Sequence, residues 1–305
     1  MSSLMRRAAT LVVVLMLVYG LIAMLPGNGI RGLLGADASD AEVSSVAHNL
    51  GVDRPWPLRF FTWLGRLCRG DLGATRSGVP IEHLLITRFP NTLLLGGTAT
   101  ILAAAVSVLA AAYTVLRAGD RPARAITVVA NALVAVPEYL LASVLVLVFA
   151  IWLAVLPSVT VTTGSAPAAQ VDMLVLPVLS LAIPQVARDV GLIRAALLEA
   201  WEAPSALAMR LDGLADRTVL MHNVLPVSLP TVSTVLAMSI GPMLGGTVLV
   251  EALFNYPGVG SVLAASVADR DPALASSMVA VIAAAITLVL VVSDWLCAWA
   301  LRGRR

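Results

Sequence analysis

Six long, mostly apolar runs recur along the chain, at residues 8–25, 92–116, 126–156, 173–193, 225–250 and 276–301. A helix needs about 20 such residues to cross the hydrocarbon core of a bilayer. Six of them in one chain predict an all-α polytopic membrane protein with six transmembrane helices. The composition agrees: 59% of residues are hydrophobic and 12% are charged, against about 25% charged in a typical soluble domain. A soluble multidomain protein is therefore a poor second reading. The bilayer itself is the first partner implied. The first run follows Arg6 and Arg7 and leads into "MLPGNG" rather than a small-x-small cleavage site, so it reads as an uncleaved anchor instead of a signal peptide.

Orientation follows from arginine, because short loops rich in Lys or Arg stay in the cytoplasm. Arg6 and Arg7 precede the first run, and Arg117, Arg121 and Arg124 lie between the second and third. Arg188, Arg194, Arg210 and Arg217 surround the segment between the fourth and fifth, and Arg302, Arg304 and Arg305 end the chain. The stretch 157–172 has no Arg, and the loop after the fifth run has only Arg270. Both termini are thereby expected in the cytoplasm. The stretch 26–91 carries seven Arg but exceeds the roughly 60 residues over which the charge rule is reliable, and it is expected outside. Within it, Trp56, Phe60, Trp63, Leu64 and Leu67 mark an amphipathic helix, either interfacial or packed on the bundle. The domain reading is thus residues 1–25 as the N-terminus and first span, 26–91 as an external loop with an interfacial helix, and 92–305 as a five-helix core.

Absences exclude other classes. All 20 basic residues are Arg, so the chain has no P-loop lysine and no lysine for a Schiff base. Nucleotide energy, if used, must come from another subunit. The two cysteines and three histidines are scattered, which offers no metal centre, disulfide framework or cofactor site. A net charge of +2 gives no reason to expect nucleic acid.

The segment 194–223 is the longest cytoplasmic element in this topology. Pro204 suits the first turn of a helix, Leu207, Leu211 and Leu214 recur at helical spacing, and Gly213 predicts a sharp turn between two short helices. The result is a knob that a partner could grip. Membrane subunits of type I ABC importers carry a cytoplasmic loop of the form E-A-A-x3-G-x9-I-x-L-P, and this segment resembles it. Leu207, Ala208 and Met209 occupy the E-A-A places, Gly213 the glycine, and Leu225–Pro226 the closing L-P. Leu207 stands where the family has Glu, so a glutamate contact is not carried over.

Further stretches, in order, resemble dipeptide and oligopeptide permeases. "LPGN" at 25–28 is similar to I-P-G-D, and the G-D-L-G signature stands at 70–73. "LPVLSLAIP" with the stretch 194–199 resembles the fourth span, and "VEALFNYPGVG" with Asp271, Pro272 and Ala273 resembles the E-x-x-F-x-x-P-G-x-G stretch and its D-x-P step. The resemblance implies the type I importer permease fold, and with it the first of two permeases of a peptide importer in a bacterial cytoplasmic membrane. It implies as partners a second homologous permease, ATP-binding subunits that do all the hydrolysis, and an extracytoplasmic substrate-binding protein. The coupling residues it implies are Leu207, Ala208, Arg210, Leu211, Asp212, Gly213, Leu214 and Arg217. Nickel, haem and glutathione importers share the pattern.

Inside the spans, Glu138 is a functional candidate because an ionisable group at membrane depth is costly to bury. Pro137, Pro177 and Pro184 interrupt helices, and Glu138, Pro137 and Pro184 are candidates for a translocation path. Asp294 reads as a structural partner for an Arg. The Gly-rich stretch 239–248 permits close helix approach, assigned to a contact between permeases. Glu138 and Asp294 would also be the coupling sites of an ion-driven secondary transporter, the competing reading. An integral membrane enzyme lacks any Ser/His/Asp or metal cluster in the spans.

Overall fold

The computed structural model describes residues 2–24, 39–49, 53–75, 78–160 and 171–302. The "LPGN" stretch, the middle of the 157–172 loop and the side chain of Asp294 lie outside the described residues. Among the described residues the regular structure is helical, apart from one isolated bridge between Ala74 and Pro80. In chain order the helices are α1 (Ser2–Ala23), α2 (Asp40–Asn49), α3 (Trp56–Leu67), α4 (Ile81–Leu116), α5 (Arg121–Val134) and α6 (Glu138–Leu145). They continue as α7 (Val171–Glu202), α8 (Pro204–Leu211), α9 (Asp216–Val219), α10 (Leu225–Leu253), α11 (Val259–Ala268) and α12 (Pro272–Arg302).

Among the described residues four helices are long and apolar enough to cross a membrane: Ile81–Leu116, Asp172–Glu202, Asp216–Leu253 and Pro272–Val289. The bent pair α5–α6 makes a fifth if it is one span, and Ala9–Ala23 is a shorter apolar helix. Several helices outrun the apolar runs that announced them. α4 begins at Ile81, not Thr92, because Pro80 and the acidic Glu82 suit a helix start even though Glu82, His83 and Arg88 lower the local hydropathy. Its 36 residues extend about 54 Å at 1.5 Å per residue, well beyond the roughly 30 Å hydrocarbon core. α7 likewise continues to Glu202, past the expected end at residue 193.

The third run, 126–156, is not one straight rod. α5 stops at Val134, and α6 leaves at 112° to it. Proline explains the break. Pro137 has no N–H to continue the ladder, and its ring drives the preceding residue away from helical angles. It adopts ψ 141° as the N-cap of α6. α6 then widens into a π-helical stretch over Val146–Trp152.

The described residues fall into two compact units. In the first, which holds the chain to Thr92 together with Asn255–Ala285, α3 buries Phe60 and Trp63 against Leu15 and Tyr19 of α1 and Ala280 of α12. The Tyr19 and Phe60 rings meet edge to face with centroids 5.6 Å apart, and Trp63 Nε1–H donates to Ser277 Oγ at 3.0 Å. The inner face of α3 is therefore packed on neighbouring helices, while Leu58 and Phe61 stay exposed. The loop after α10 is pinned to the same unit: Asn91 Nδ2 donates to the Pro257 carbonyl at 2.8 Å, and Thr92 Oγ1 accepts from Val259 N–H at 2.9 Å.

The second unit comprises Leu93–Thr160, α7 through Phe254, and the chain from Ile286. α7 is its axis, packed along α10, α5 and α6. Small side chains set the close approach of α5 to α7, where Ala130 meets Ala187 and Val190. A second core gathers Ala111 and Val115 of α4, Ile193, Leu197 and Ala200 of α7, Ala206 of α8, Val219 and Leu220 beyond it, and Val232 of α10.

Candidate functional site

Two features of the second unit carry chemistry or mechanics. The first is a polar network inside helices that otherwise read as spans. Gln185, Arg188 and Asp189 stand at i, i+3 and i+4 on α7, so they share one face. Pro184, buried just before them, removes the donor that would otherwise bond the Ser180 carbonyl. Arg188 Nη2 donates to Glu138 Oε1 at 3.0 Å and to Gln185 Oε1 at 2.8 Å. Gln185 Nε2 donates to Asp189 Oδ1 at 2.9 Å, and Ser239 Oγ of α10 donates to the same oxygen at 2.7 Å. Gln185 and Asp189 are 3% and 2% exposed, so that end of the network is buried, while Arg188 and Glu138 remain partly exposed. Glu138 opens α6, where an acidic side chain also meets the positive end of the helix dipole.

Gly246 of α10 makes room for this arrangement. A Cβ there would run into the Glu138 carboxylate and lie 3.1 Å from Leu181 Cδ2. Only hydrogen in that place lets α6, α7 and α10 converge around Glu138. Part of the Gly-rich stretch assigned to a contact between subunits is thus used within the chain. Beside the network lies a cavity of about 290 Å³ lined by Thr100, Gln185, Asp189, Ser233, Ser239 and Met243, among others. Two carboxylates face one guanidinium here, which leaves the cluster with an excess of acid.

Arg188 therefore does not belong with the arginines that mark a cytoplasmic loop; it is the internal counter-charge of Glu138. Asp189 escaped attention in the sequence although it lies inside the 173–193 run, where any ionisable residue is a signal. Pro137 is exposed and acts as the corner between α5 and α6. The structure thus joins Glu138 to α7 next to Pro184, and adds Gln185, Arg188, Asp189 and Ser239. Among the described residues no group of three or more His, Cys, Asp or Glu could hold a metal ion.

The second feature is the segment around Gly213. α8 starts at Pro204 and ends in a complete Schellman turn. Gly213 N–H donates to the Arg210 carbonyl at 3.1 Å and Leu214 N–H to the Met209 carbonyl at 3.2 Å, with Gly213 at φ 81°. That is the left-handed conformation in which glycine avoids the Cβ penalty. Two separate short helices were expected. Instead α9 passes through a π-helical turn at Leu220–Val224 directly into α10, so the chain beyond the turn is continuous with that long apolar helix.

α8 has two distinct sides. Ala206 is fully buried among residues of α4, α7 and α10, and Ser205 Oγ donates to Asn223 Oδ1 at 3.2 Å. Away from that core, Leu207, Leu211 and Leu214 are 46%, 79% and 42% exposed. Ala208, Asp212 and Arg217 are exposed with them. Arg210 differs: its guanidinium lies over the Trp201 ring, 5.0 Å from the centroid. This cation–π contact holds α8 to the end of α7 and takes Arg210 out of the freely presented set.

A family model described as "Binding-protein-dependent transport system inner membrane component" matches residues 96–305. The "Probable peptide ABC transporter permease protein" of Sinorhizobium fredii is 27% identical over 94% of this chain and 92% of its own length. A glutathione transport system permease protein of Pectobacterium atrosepticum is 28% identical over 86% and 84%. An oligopeptide transport system permease protein of Bacillus subtilis is 26% identical over 90% and 88%. Membrane components of this kind have no catalytic activity of their own, and the family implies ATP-binding subunits and a substrate-binding protein as partners. The helical architecture, the apolar spans and the match across most of the chain lead to one conclusion: this chain belongs to the family of inner membrane components of binding-protein-dependent transport systems.

Proposed function

We propose that the chain is the permease subunit of an ATP-driven importer of dipeptides or oligopeptides. It spans the membrane six times with both termini in the cytoplasm, and with a second homologous permease it encloses the path taken by the solute. The Glu138, Pro137 and Pro184 region contributes to that path. ATPase movements reach the spans through α8 and the Gly213 turn. The observation that carries this reading is the two-sidedness of α8: Leu207 and Leu211, with Leu214 just beyond the turn, are exposed while Ala206 is fused to the core formed by α4, α7 and α10. Exposed leucines rarely cluster on a short helix without a partner to cover them. A push on that outer side would move three spans together, because the inner side is close-packed.

Among the similar permeases two cargo classes appear by name, peptides and glutathione. Glutathione is itself a tripeptide, so one path can serve either. The test is uptake of labelled dipeptide, pentapeptide and glutathione into cells that carry the whole transporter, with and without this subunit. Uptake of a peptide that disappears with the subunit supports the proposal. Subunit-dependent uptake of a metal ion or haem, with none of any peptide, contradicts the cargo. Uptake that persists without ATP contradicts the energy source.

A further inference from the structure

Where α4 ends and α5 begins, a pocket of about 230 Å³ is lined by Thr114, Arg124, Thr127, Val128 and Arg194, among others. Among the described residues neither guanidinium has a carboxylate within 4.0 Å, and Arg194 Nε is cut off from solvent with no hydrogen-bond partner. The acid nearest to Arg124 in sequence, Asp120, stands just before α5 and lies 4.0 Å from Arg117 Nε. The threonines do not supply donors, since Thr114 Oγ1–H bonds the Ala111 carbonyl at 2.7 Å and Thr127 Oγ1–H the Ala123 carbonyl at 3.1 Å.

Two like charges share one concavity, and one of their N–H groups is dry. Leaving such a donor unmet is costly. An anion with several acceptor oxygens removes both costs, and the planar fork of Arg matches phosphate in particular. The positive end of the 14-residue α5 adds to the attraction. The lining also has an apolar part, Ala118, Ala123 and Val128, and Val128 is 66% exposed, as suits a ligand with a hydrocarbon part.

We propose that this pocket binds a phosphate-bearing anion through Arg124 and Arg194, and its apolar part favours the headgroup of an anionic phospholipid over free phosphate. Basic pockets between spanning helices take anionic headgroups in this way. The inference rests on the membrane-spanning reading and is independent of the cargo.

Native mass spectrometry of the full chain, released from detergent after titration with phosphatidylglycerol or phosphatidylcholine, tests it. The wild type is expected to retain phosphatidylglycerol preferentially. Arg124→Gln and Arg194→Gln should each lower that preference about fivefold, as removal of one basic side chain near a lipid surface does. Arg121→Gln, exposed and outside the pocket, should leave it unchanged. Arg124 is exposed, so its variant keeps the test valid if Arg194→Gln fails to fold. Competition with inorganic phosphate separates the sources: lipid that resists displacement assigns the headgroup, and displacement at equal occupancy assigns free anion. Equal retention of both lipids by the wild type, or an unchanged preference in the arginine variants, overturns the site.

Discussion

Replacing Arg188 with Met keeps the bulk of the side chain and removes the one positive charge of the α7 network. At the observed 3.0 Å, with an effective dielectric constant near 20, the attraction between Arg188 and Glu138 is about 5–6 kcal/mol before desolvation. The side chains are 35% and 20% exposed, so water offsets a large part of that. Breaking a fully buried pair costs about 3–5 kcal/mol, because the remaining charge is stranded; partial exposure brings the expected loss to about 2–3 kcal/mol. Arg188→Met should exceed Glu138→Gln, since the first strands two carboxylates and the second leaves Arg188 bonded to Gln185. The double variant should recover a substantial part of the loss. A shift of 2–3 kcal/mol corresponds to about 3–5 °C in melting midpoint for 305 residues, read by size-exclusion chromatography of the heated, detergent-solubilised chain. A melting point of Arg188→Met within 1 °C of wild type (about 0.6 kcal/mol on the same scale) refutes the argument. So does a double variant as unstable as the sum of the singles.

Gly246→Ala places a methyl group against the Glu138 carboxylate and should cost about 1–3 kcal/mol, as overpacking does, seen as a lower midpoint, while Gly245→Ala, which meets open space, should leave the midpoint unchanged. Trp63→Phe removes the donor to Ser277 and should cost about 1 kcal/mol, seen as a lower midpoint than in Leu58→Ala on the exposed side of α3. In a background where both Cys68 and Cys297 are replaced, a cysteine at Ser158 should react with an impermeant thiol reagent on intact cells. One at Ala215 should react only after the membrane is opened; reversed labelling refutes the proposed orientation.

Local chemistry was legible in the sequence where a single residue decides it. Pro204 starts α8, and Gly213 sits in a left-handed turn, as backbone preference alone requires. Pro137 was legible as a break but not as a 112° corner, because proline dictates only that the rod stops and not where the next one points. Helix lengths were misjudged wherever polar residues continue an apolar helix, as at Glu82 and Arg88 in α4. The α7 network was hidden for a different reason. Glu138 and Arg188 are 50 residues apart, as are Asp189 and Ser239, and hydropathy averages over charges that tertiary contacts pair. Adjacent Arg188 and Asp189 inside an apolar run were the available signal. Gly246 looked like a contact between subunits because composition shows that a helix can come close, not which helix comes.

The central claim is that force passes through α8 and the Gly213 turn. It is tested most directly by ATP hydrolysis of the purified complete transporter, stimulated by the loaded binding protein, in Gly213→Val beside Ala215→Val. A β-branched residue at φ 81° is strained by about 1–3 kcal/mol, whereas a Cβ at 213 meets no neighbour, so the effect is on the backbone of the turn and not on packing. Ala215 is equally exposed and already adopts φ −61°, which valine tolerates. The account predicts normal membrane abundance for both variants, stimulated hydrolysis and peptide uptake lost in Gly213→Val, and both kept in Ala215→Val. Full stimulation and uptake in Gly213→Val would contradict it.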